Sequence, residues 1–307
     1  MAAKIYIVSG FLGAGKTTLI QKMIGEAFLK DKTVIVENDF GEASVDAALL
    51  GSGGAEVAEI NSGCICCNLS GDFIDSLKGL LKRFKPDRVI IEPSGVAKLS
   101  DVAEACSDGK IAGLAEVCKK ITVVDATRCK KYLDNFGEFF EDQIRRADVI
   151  LLNRAEESAD KTAEALNIVG EINKDAPVFK KPWDRLRVSE ILSPAVSARS
   201  DEHGHGDPLC CDGHDHSADD FFDTVTLRPG RAFSAEDLKN LAAKMEGLSS
   251  GVLRAKGIVR GESGYLNLQY VPGDIKIEDA PTAGDIVCFI GRDLNRAELA
   301  GLFRDGK

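Results

Sequence analysis

The octet Gly10-Phe11-Leu12-Gly13-Ala14-Gly15-Lys16-Thr17 has the spacing G-x-x-x-x-G-K-[ST]. That spacing does phosphate chemistry. Glycines let backbone N–H groups turn toward phosphate oxygens, and the lysine carries a mobile positive charge to the β and γ phosphates. The pattern needs a strand before it and a helix after it. Ile5–Val8 reads as the strand, and a helical pattern opens at Lys16. The helix N-terminus adds the positive end of its dipole. Gly10, Gly13, Ala14, Gly15, Lys16, Thr17 and Thr18 are the expected nucleotide contacts, and the Thr17 hydroxyl is also a ligand for Mg²⁺.

Magnesium on a triphosphate also needs a carboxylate at a neighbouring strand end. Two strand ends offer one. The run Thr33–Glu37 leads into Asn38-Asp39-Phe40-Gly41-Glu42, and Arg88–Ile91 leads into Glu92-Pro93-Ser94-Gly95. The second resembles a Walker B strand with Glu in place of Asp, and its glycine suits γ-phosphate sensing. Lys16, Glu42 and Glu92 are the expected catalytic residues, with Gly95 a nucleotide contact. The base-reading element is Asn153-Arg154-Ala155-Glu156, which resembles N-K-x-D with Arg for Lys and Glu for Asp. Asn153 and Glu156 are the expected base contacts. The longer Glu side chain predicts a real but loose preference for guanine, because a misplaced charge-assisted hydrogen bond forfeits about 1.5–3 kcal/mol.

A second kind of chemistry lies in Cys64-Ile65-Cys66-Cys67, three thiols in four residues. Thiolates at this density repel one another unless a cation sits among them, and soft or borderline metals gain most from them. Glu37 is a candidate fourth ligand. All four histidines fall in one stretch, His203-Gly204-His205 and His214-Asp215-His216, with Cys210-Cys211 between them. Six such donors within fourteen residues form a metal-binding composition suited to capture and transfer. The remaining cysteines, Cys106, Cys118, Cys129 and Cys288, stand alone in helix- or strand-like segments and read as core.

These motifs resemble the CobW family of P-loop GTPases, cousins of the hydrogenase and urease nickel-insertion GTPases. The likeness rests on GFLGAGKTT (Gly10–Thr18), ENDFGE (Glu37–Glu42), CxCC (Cys64–Cys67), EPSG (Glu92–Gly95) and DQIRRADVILLNR (Asp142–Arg154). It covers about Lys4 to Trp183 well, and the end of the chain resembles the family's smaller C-terminal domain. It implies a metal-insertion GTPase whose CxCC metal is coupled to nucleotide state. The element at Asn153–Glu156 departs from the family's usual N-K-x-D.

Such sites must be positioned by a scaffold. Apolar runs at Ile5–Val8, Thr33–Glu37, Glu56–Ile60, Arg88–Ile91, Ile121–Val124, Val149–Leu152 and Pro177–Lys180 read as strands. Helix-like stretches separate them, at Lys16–Leu29, Asp72–Phe84, Glu138–Ala147 and Asp160–Asn173. Alternation of this kind predicts an α/β P-loop NTPase fold, a mostly parallel sheet with helices on both faces. Ligands then sit at the carboxyl ends of the strands. The expected organisation is a GTPase domain over 1–199, a His/Cys-rich metal-binding linker over 200–220, and a smaller α+β domain over 221–307. In that last domain Phe222–Leu227, Gly251–Val259, Tyr265–Tyr270 and Asp285–Ile290 read as strands, with helices at Ser234–Met245 and Arg296–Phe303. Ser234 and Asp237 have capping-box spacing.

Composition narrows the partners. A formal net charge of -10 argues against nucleic acid and against an anionic membrane surface. The start lacks a basic region and a cleavage site, so no signal peptide is expected. An odd count of 9 cysteines with adjacent pairs suggests a reducing cytoplasm rather than a disulfide framework. The expected function is a GTP-hydrolysing metallochaperone using Mg²⁺ with GTP and carrying Zn²⁺, with Co²⁺ or Ni²⁺ next, to a metal-requiring client protein. A metal- or nucleotide-dependent homodimer is left open. The rival readings are a metal sensor or store with incidental hydrolysis, and a cobalt-insertion factor of cobalamin biosynthesis.

Overall fold

The computed structural model describes residues 2–28, 31–37, 56–59, 71–193, 222–248, 251–280 and 283–304. The chain divides into two compact units; the described part of the first ends at Ser193, and that of the second begins at Phe222.

The first unit is built on β1 (Ala3–Ser9), β2 (Thr33–Glu37), β3 (Glu56–Glu59), β4 (Arg88–Glu92), β5 (Ala115–Asp125), β6 (Val149–Asn153) and β7 (Val178–Phe179). They form one sheet in the order β3-β2-β4-β1-β5-β6-β7, with every pair parallel. Its helices are α1 (Lys16–Met23, extended by a π turn over Ile24–Phe28), α2 (Gly71–Phe84), α3 (Leu99–Cys106), α4 (Cys129–Arg145), α5 (Ala159–Ile172) and α6 (Val188–Ile191).

Successive side chains of a strand point to opposite faces. Tyr6 and Val8 pack in one core with Leu19, Ile20 and Met23 of α1, while Ile5 and Ile7, pointing the other way, are equally buried. Both faces are therefore covered, which is why β1 and β4 read as unbroken apolar runs rather than alternating ones.

Several elements of this unit differ from their sequence reading, the short α6 among them. Strand β5 starts six residues before Ile121, because Lys119, a charge that interrupts the apolar pattern, is itself buried, with its amine 3.3 Å from the Ser193 carbonyl. Helix α4 begins at Cys129 rather than Glu138. Gly137 reads as a breaker, and the chain does kink at Phe136, but Tyr132 and Phe136 are buried and the helix continues across the kink. Helix α3 has no counterpart in the sequence reading, although Leu99, Val102, Ala105 and Cys106 make one buried face.

The second unit is an antiparallel sheet. Its strands are β8 (Asp223–Leu227), β9 (Ala232–Phe233), β10 (Gly251–Gly261), β11 (Tyr265–Val271), β12 (Asp274–Asp279) and β13 (Ile286–Arg292). The order is β12-β11-β10-β13-β8, and β9 adds to β10 in parallel. Helices α7 (Ala235–Glu246) and α8 (Arg296–Arg304) supply Leu238, Leu241, Met245, Leu299 and Phe303 to its core. The capping box forms: Asp237 N donates to Ser234 Oγ at 3.0 Å, and Ser234 N donates to Asp237 Oδ2 at 2.9 Å. Loss of such a cap costs about 1 kcal/mol. The two-residue β9 and strand β12 have no counterpart in the sequence reading; the polar Asp274, Lys276, Glu278 and Asp279 of β12 make a weak apolar signal at an edge.

Candidate functional site

The phosphate loop leaves β1 at Ser9 and enters α1 at Lys16. Two of its glycines are required by geometry. Gly10 has φ 140, and a Cβ there would stand 2.2 Å from the Val123 carbonyl oxygen. Gly15 caps α1 with φ 107, and a Cβ there would stand 2.6 Å from Asn153 Nδ2. No side chain caps α1, so its first N–H groups are left for an anion. The Lys16 side chain is buried, and its ammonium donates to the Gly10 carbonyl at 2.9 Å and to the Phe11 carbonyl at 3.5 Å. A cation turned back over the loop's own carbonyls can swing to phosphate oxygens when they are offered.

The loop is braced from outside. Phe11 is 1% exposed, and its ring lies 4.6 Å from Tyr132 and 5.0 Å from Phe136, with Phe140 edge-on at 6.1 Å. The Tyr132 hydroxyl donates to the Leu12 carbonyl at 3.2 Å. Burial pushes the Tyr132 phenol pKa up, so it remains a donor. Gly95, after β4, lies against Leu12. The fully buried Gln143 amide holds that segment, donating to the carbonyls of Gly95 at 3.1 Å and Ala97 at 2.9 Å.

The acidic partner comes from β4. The Thr17 hydroxyl lies 3.3 Å from both carboxylate oxygens of Glu92. A hydroxyl and a carboxylate side by side are the hard oxygen donors that magnesium takes. On the other side of the loop, Asn153 Nδ2 donates to the Ala14 carbonyl at 2.9 Å, and Arg154 N donates to Asn153 Oδ1 at 3.0 Å.

The structure thus brings Gly10, Gly13, Ala14, Gly15, Lys16, Thr17, Glu92, Gly95 and Asn153 to the carboxyl ends of β1, β4 and β6. Thr18 and Glu156 are exposed beside them. Glu42, Cys64, Cys66, Cys67, His203, His205, Cys210, Cys211, His214 and His216 lie outside the described residues. Glu37 ends β2, in register with Glu92 on one side and Glu59 of β3 on the other. The segment carrying the three thiols follows β3 and precedes α2. In the sequence it falls between Glu37–Glu42 and Glu92–Gly95, but in space β3 is the outermost strand and β2 separates it from β4. Among the described residues no cluster of three His, Cys, Asp or Glu side chains could hold a metal.

The four isolated cysteines divide. Cys106 and Cys129 are buried, and burial pushes each thiol up to about 12; Cys118 and Cys288 are only half-buried. Sequence reasoning also missed Gln143, Tyr132 and Asp125. Their signal was polar groups on otherwise apolar helix faces or strand ends.

This fold and site define a P-loop nucleotide-binding domain of the GTPase class. Residues 4–180 match the model of the CobW/HypB/UreG nucleotide-binding domain, and residues 222–307 match the cobalamin synthesis protein cobW C-terminal domain. The chain belongs to the CobW/HypB/UreG family. It is 30% identical over 160 residues to the zinc chaperone YeiR of Escherichia coli, covering 52% of this chain and 49% of YeiR, so it spans about half that relative's length. It is 29% identical over 290 residues to the zinc chaperone CobW of Sinorhizobium, covering 82% and 79%. With zinc-regulated GTPase metalloprotein activator 1 of Dictyostelium discoideum it is 27% identical over 296 residues, covering 82% and 62%. No helix among the described residues is long and apolar enough to cross a membrane.

Proposed function

We propose that this chain is a GTP-hydrolysing metallochaperone that holds a transition metal, zinc foremost, at Cys64, Cys66 and Cys67 and yields it to a client protein under nucleotide control. Two relatives are named zinc chaperones, which supports zinc as the cargo. The observation that carries the coupling is a register. Glu37 and Glu92 pair on adjacent parallel strands, which run about 4.8 Å apart. Glu92 meets Thr17 of the phosphate loop. The strand end proposed to help hold the cargo and the one proposed to help hold magnesium therefore leave the sheet side by side. Ordering one of them around a triphosphate biases the other, and linkage makes that bias reciprocal.

Within this reading each residue has a task. Gly13, Ala14 and Gly15 present backbone N–H groups to the β-phosphate, and Lys16 neutralises the β and γ phosphates. Thr17 and Glu92 would hold magnesium, which would spread the charge developing on the phosphates. Gly95 and Glu42 stand for γ-phosphate sensing and placement of the attacking water. Asn153 and Glu156 select the base. The histidines and cysteines of 200–220 gather metal for the CxCC.

The test is GTP turnover as a function of added Zn²⁺, in the wild type and in Cys66→Ser/Cys67→Ser. The metallochaperone reading expects zinc to change turnover in the wild type and not in the variant. Turnover indifferent to zinc in both assigns a metal store with incidental hydrolysis instead.

A further inference from the structure

The loop after β6 contains a residue in the left-handed region that is not glycine. Arg154 has φ 59, a conformation that a Cβ disfavours. Its surroundings hold it there from two sides. The backbone N–H of Arg154 is bound by Asn153 Oδ1. The guanidinium is bound by Asp125 at the end of β5, with Nη1 donating to Oδ2 at 2.9 Å.

Asp125 is itself fixed. It is 1% exposed and in register with Asn153 across the β5–β6 pair. Its Oδ1 accepts from Thr127 N at 2.9 Å and from Thr127 Oγ1 at 2.6 Å, which sets the rotamer and leaves Oδ2 toward Arg154. Arg128 Nη1 stands 3.9 Å from the same Oδ2. Arg154 Nε lies 4.0 Å from the exposed Glu157, a far weaker hold. Two residues beyond Arg154 is Glu156, the carboxylate offered to the base.

We propose that Asp125 is a positioning residue for base selection: by anchoring the Arg154 guanidinium it keeps residue 154 left-handed and so directs the turn that carries Glu156. The inference rests on Asn153 and Glu156 being the base contacts. It also gives a reason for arginine at this position. A planar, permanently charged guanidinium gives Asp125 a directional partner that a lysine ammonium replaces only as a point charge.

The experiment is competition of GTP and of ATP against a fluorescent GDP analogue, in the wild type, Asp125→Ala and Asp125→Ala/Arg154→Gly. Amide hydrogen exchange of residues 154–156 is measured on the same proteins. Asp125→Ala should lower the GTP/ATP affinity ratio about tenfold, the scale of one charge-assisted hydrogen bond, with ATP affinity changed by no more than about twofold. Glycine takes a positive φ freely, so adding Arg154→Gly should restore most of the lost ratio. Exchange at Arg154 should rise about tenfold or more in Asp125→Ala. A ratio unchanged in Asp125→Ala, or equal loss of GTP and ATP, would overturn the proposal. A wild type with no preference for GTP would instead overturn the base assignment, and exchange at Arg154 then decides the anchor alone: unchanged exchange refutes it. Should Asp125→Ala not fold, Asp125→Asn keeps the shape and one acceptor oxygen while losing the charge and the second acceptor, and a fall of about threefold is expected.

Discussion

Gly95→Ala adds one methyl group where β4 delivers the chain to the phosphate loop. The φ of Gly95 is ordinary, so the effect is purely one of space. An ideal Cβ would stand 2.7 Å from Leu12 Cδ2, 2.8 Å from Leu12 N and 3.0 Å from Leu12 Cα. The Cδ2 atom can rotate away. The backbone atoms cannot retreat cheaply, because Tyr132 holds the Leu12 carbonyl and Phe11 is locked among three aromatic rings. Gln143 holds Gly95 from its other side. Overpacking of this kind costs about 1–3 kcal/mol. If the loop yields, that is roughly a 5- to 150-fold loss of GTP affinity. If the fold absorbs it, the melting temperature drops by about 2–4 °C per kcal/mol for a unit of this size. Gly79→Ala, in α2 with nothing within 4 Å of its Cβ, is the control and should be neutral or slightly stabilising. Nucleotide titration and thermal unfolding read both effects. A Gly95→Ala protein with GTP affinity within about twofold and an unchanged melting temperature would refute the packing of β4 on the loop.

Two further outcomes follow from the same geometry. Lys16→Ala should abolish turnover and weaken triphosphate binding while circular dichroism stays native, since Lys16 spends its charge on loop carbonyls rather than on the core; wild-type turnover would contradict the nucleotide site. With thiols raised to about 12, Cys106 and Cys129 should stay protonated at pH 8, and their thiolate fraction should be roughly a thousandfold below that of an ordinary thiol. Mass-mapped alkylation of the native protein should leave both unlabelled until it unfolds, and labelling at the rate of free cysteine would contradict their burial.

Much of this was written in the sequence because local chemistry and tertiary need agree there. Ile5–Val8 is apolar on both faces because the strand is covered on both faces, and the glycines of the loop stand where a Cβ would strike Val123 or Asn153. Ser234 and Asp237 form the box that their spacing predicts. Periodicity failed where packing overrode it. Lys119 is buried in β5, and Tyr132 and Phe136 belong to a helix whose kink looks like a stop. The braces of the site were the least legible part. Gln143 and Asp125 act through contacts with residues 29–48 positions away, and no spacing rule reports a partner at that distance. Strand order was also hidden: only the fold reveals that β3, which precedes the thiol-bearing segment in the chain, is an edge strand whose Glu59 pairs with Glu37.

The central claim is that nucleotide state sets the grip on the metal. Zn²⁺ affinity should be measured with a non-hydrolysable GTP analogue, with GDP and with no nucleotide, in the wild type and in Cys66→Ser/Cys67→Ser. A nucleotide-gated metallochaperone requires the wild-type affinities to differ, by about 5- to 150-fold for an ordinary coupling of 1–3 kcal/mol, and the difference to vanish in the variant. Equal zinc affinity in all three wild-type states would contradict it.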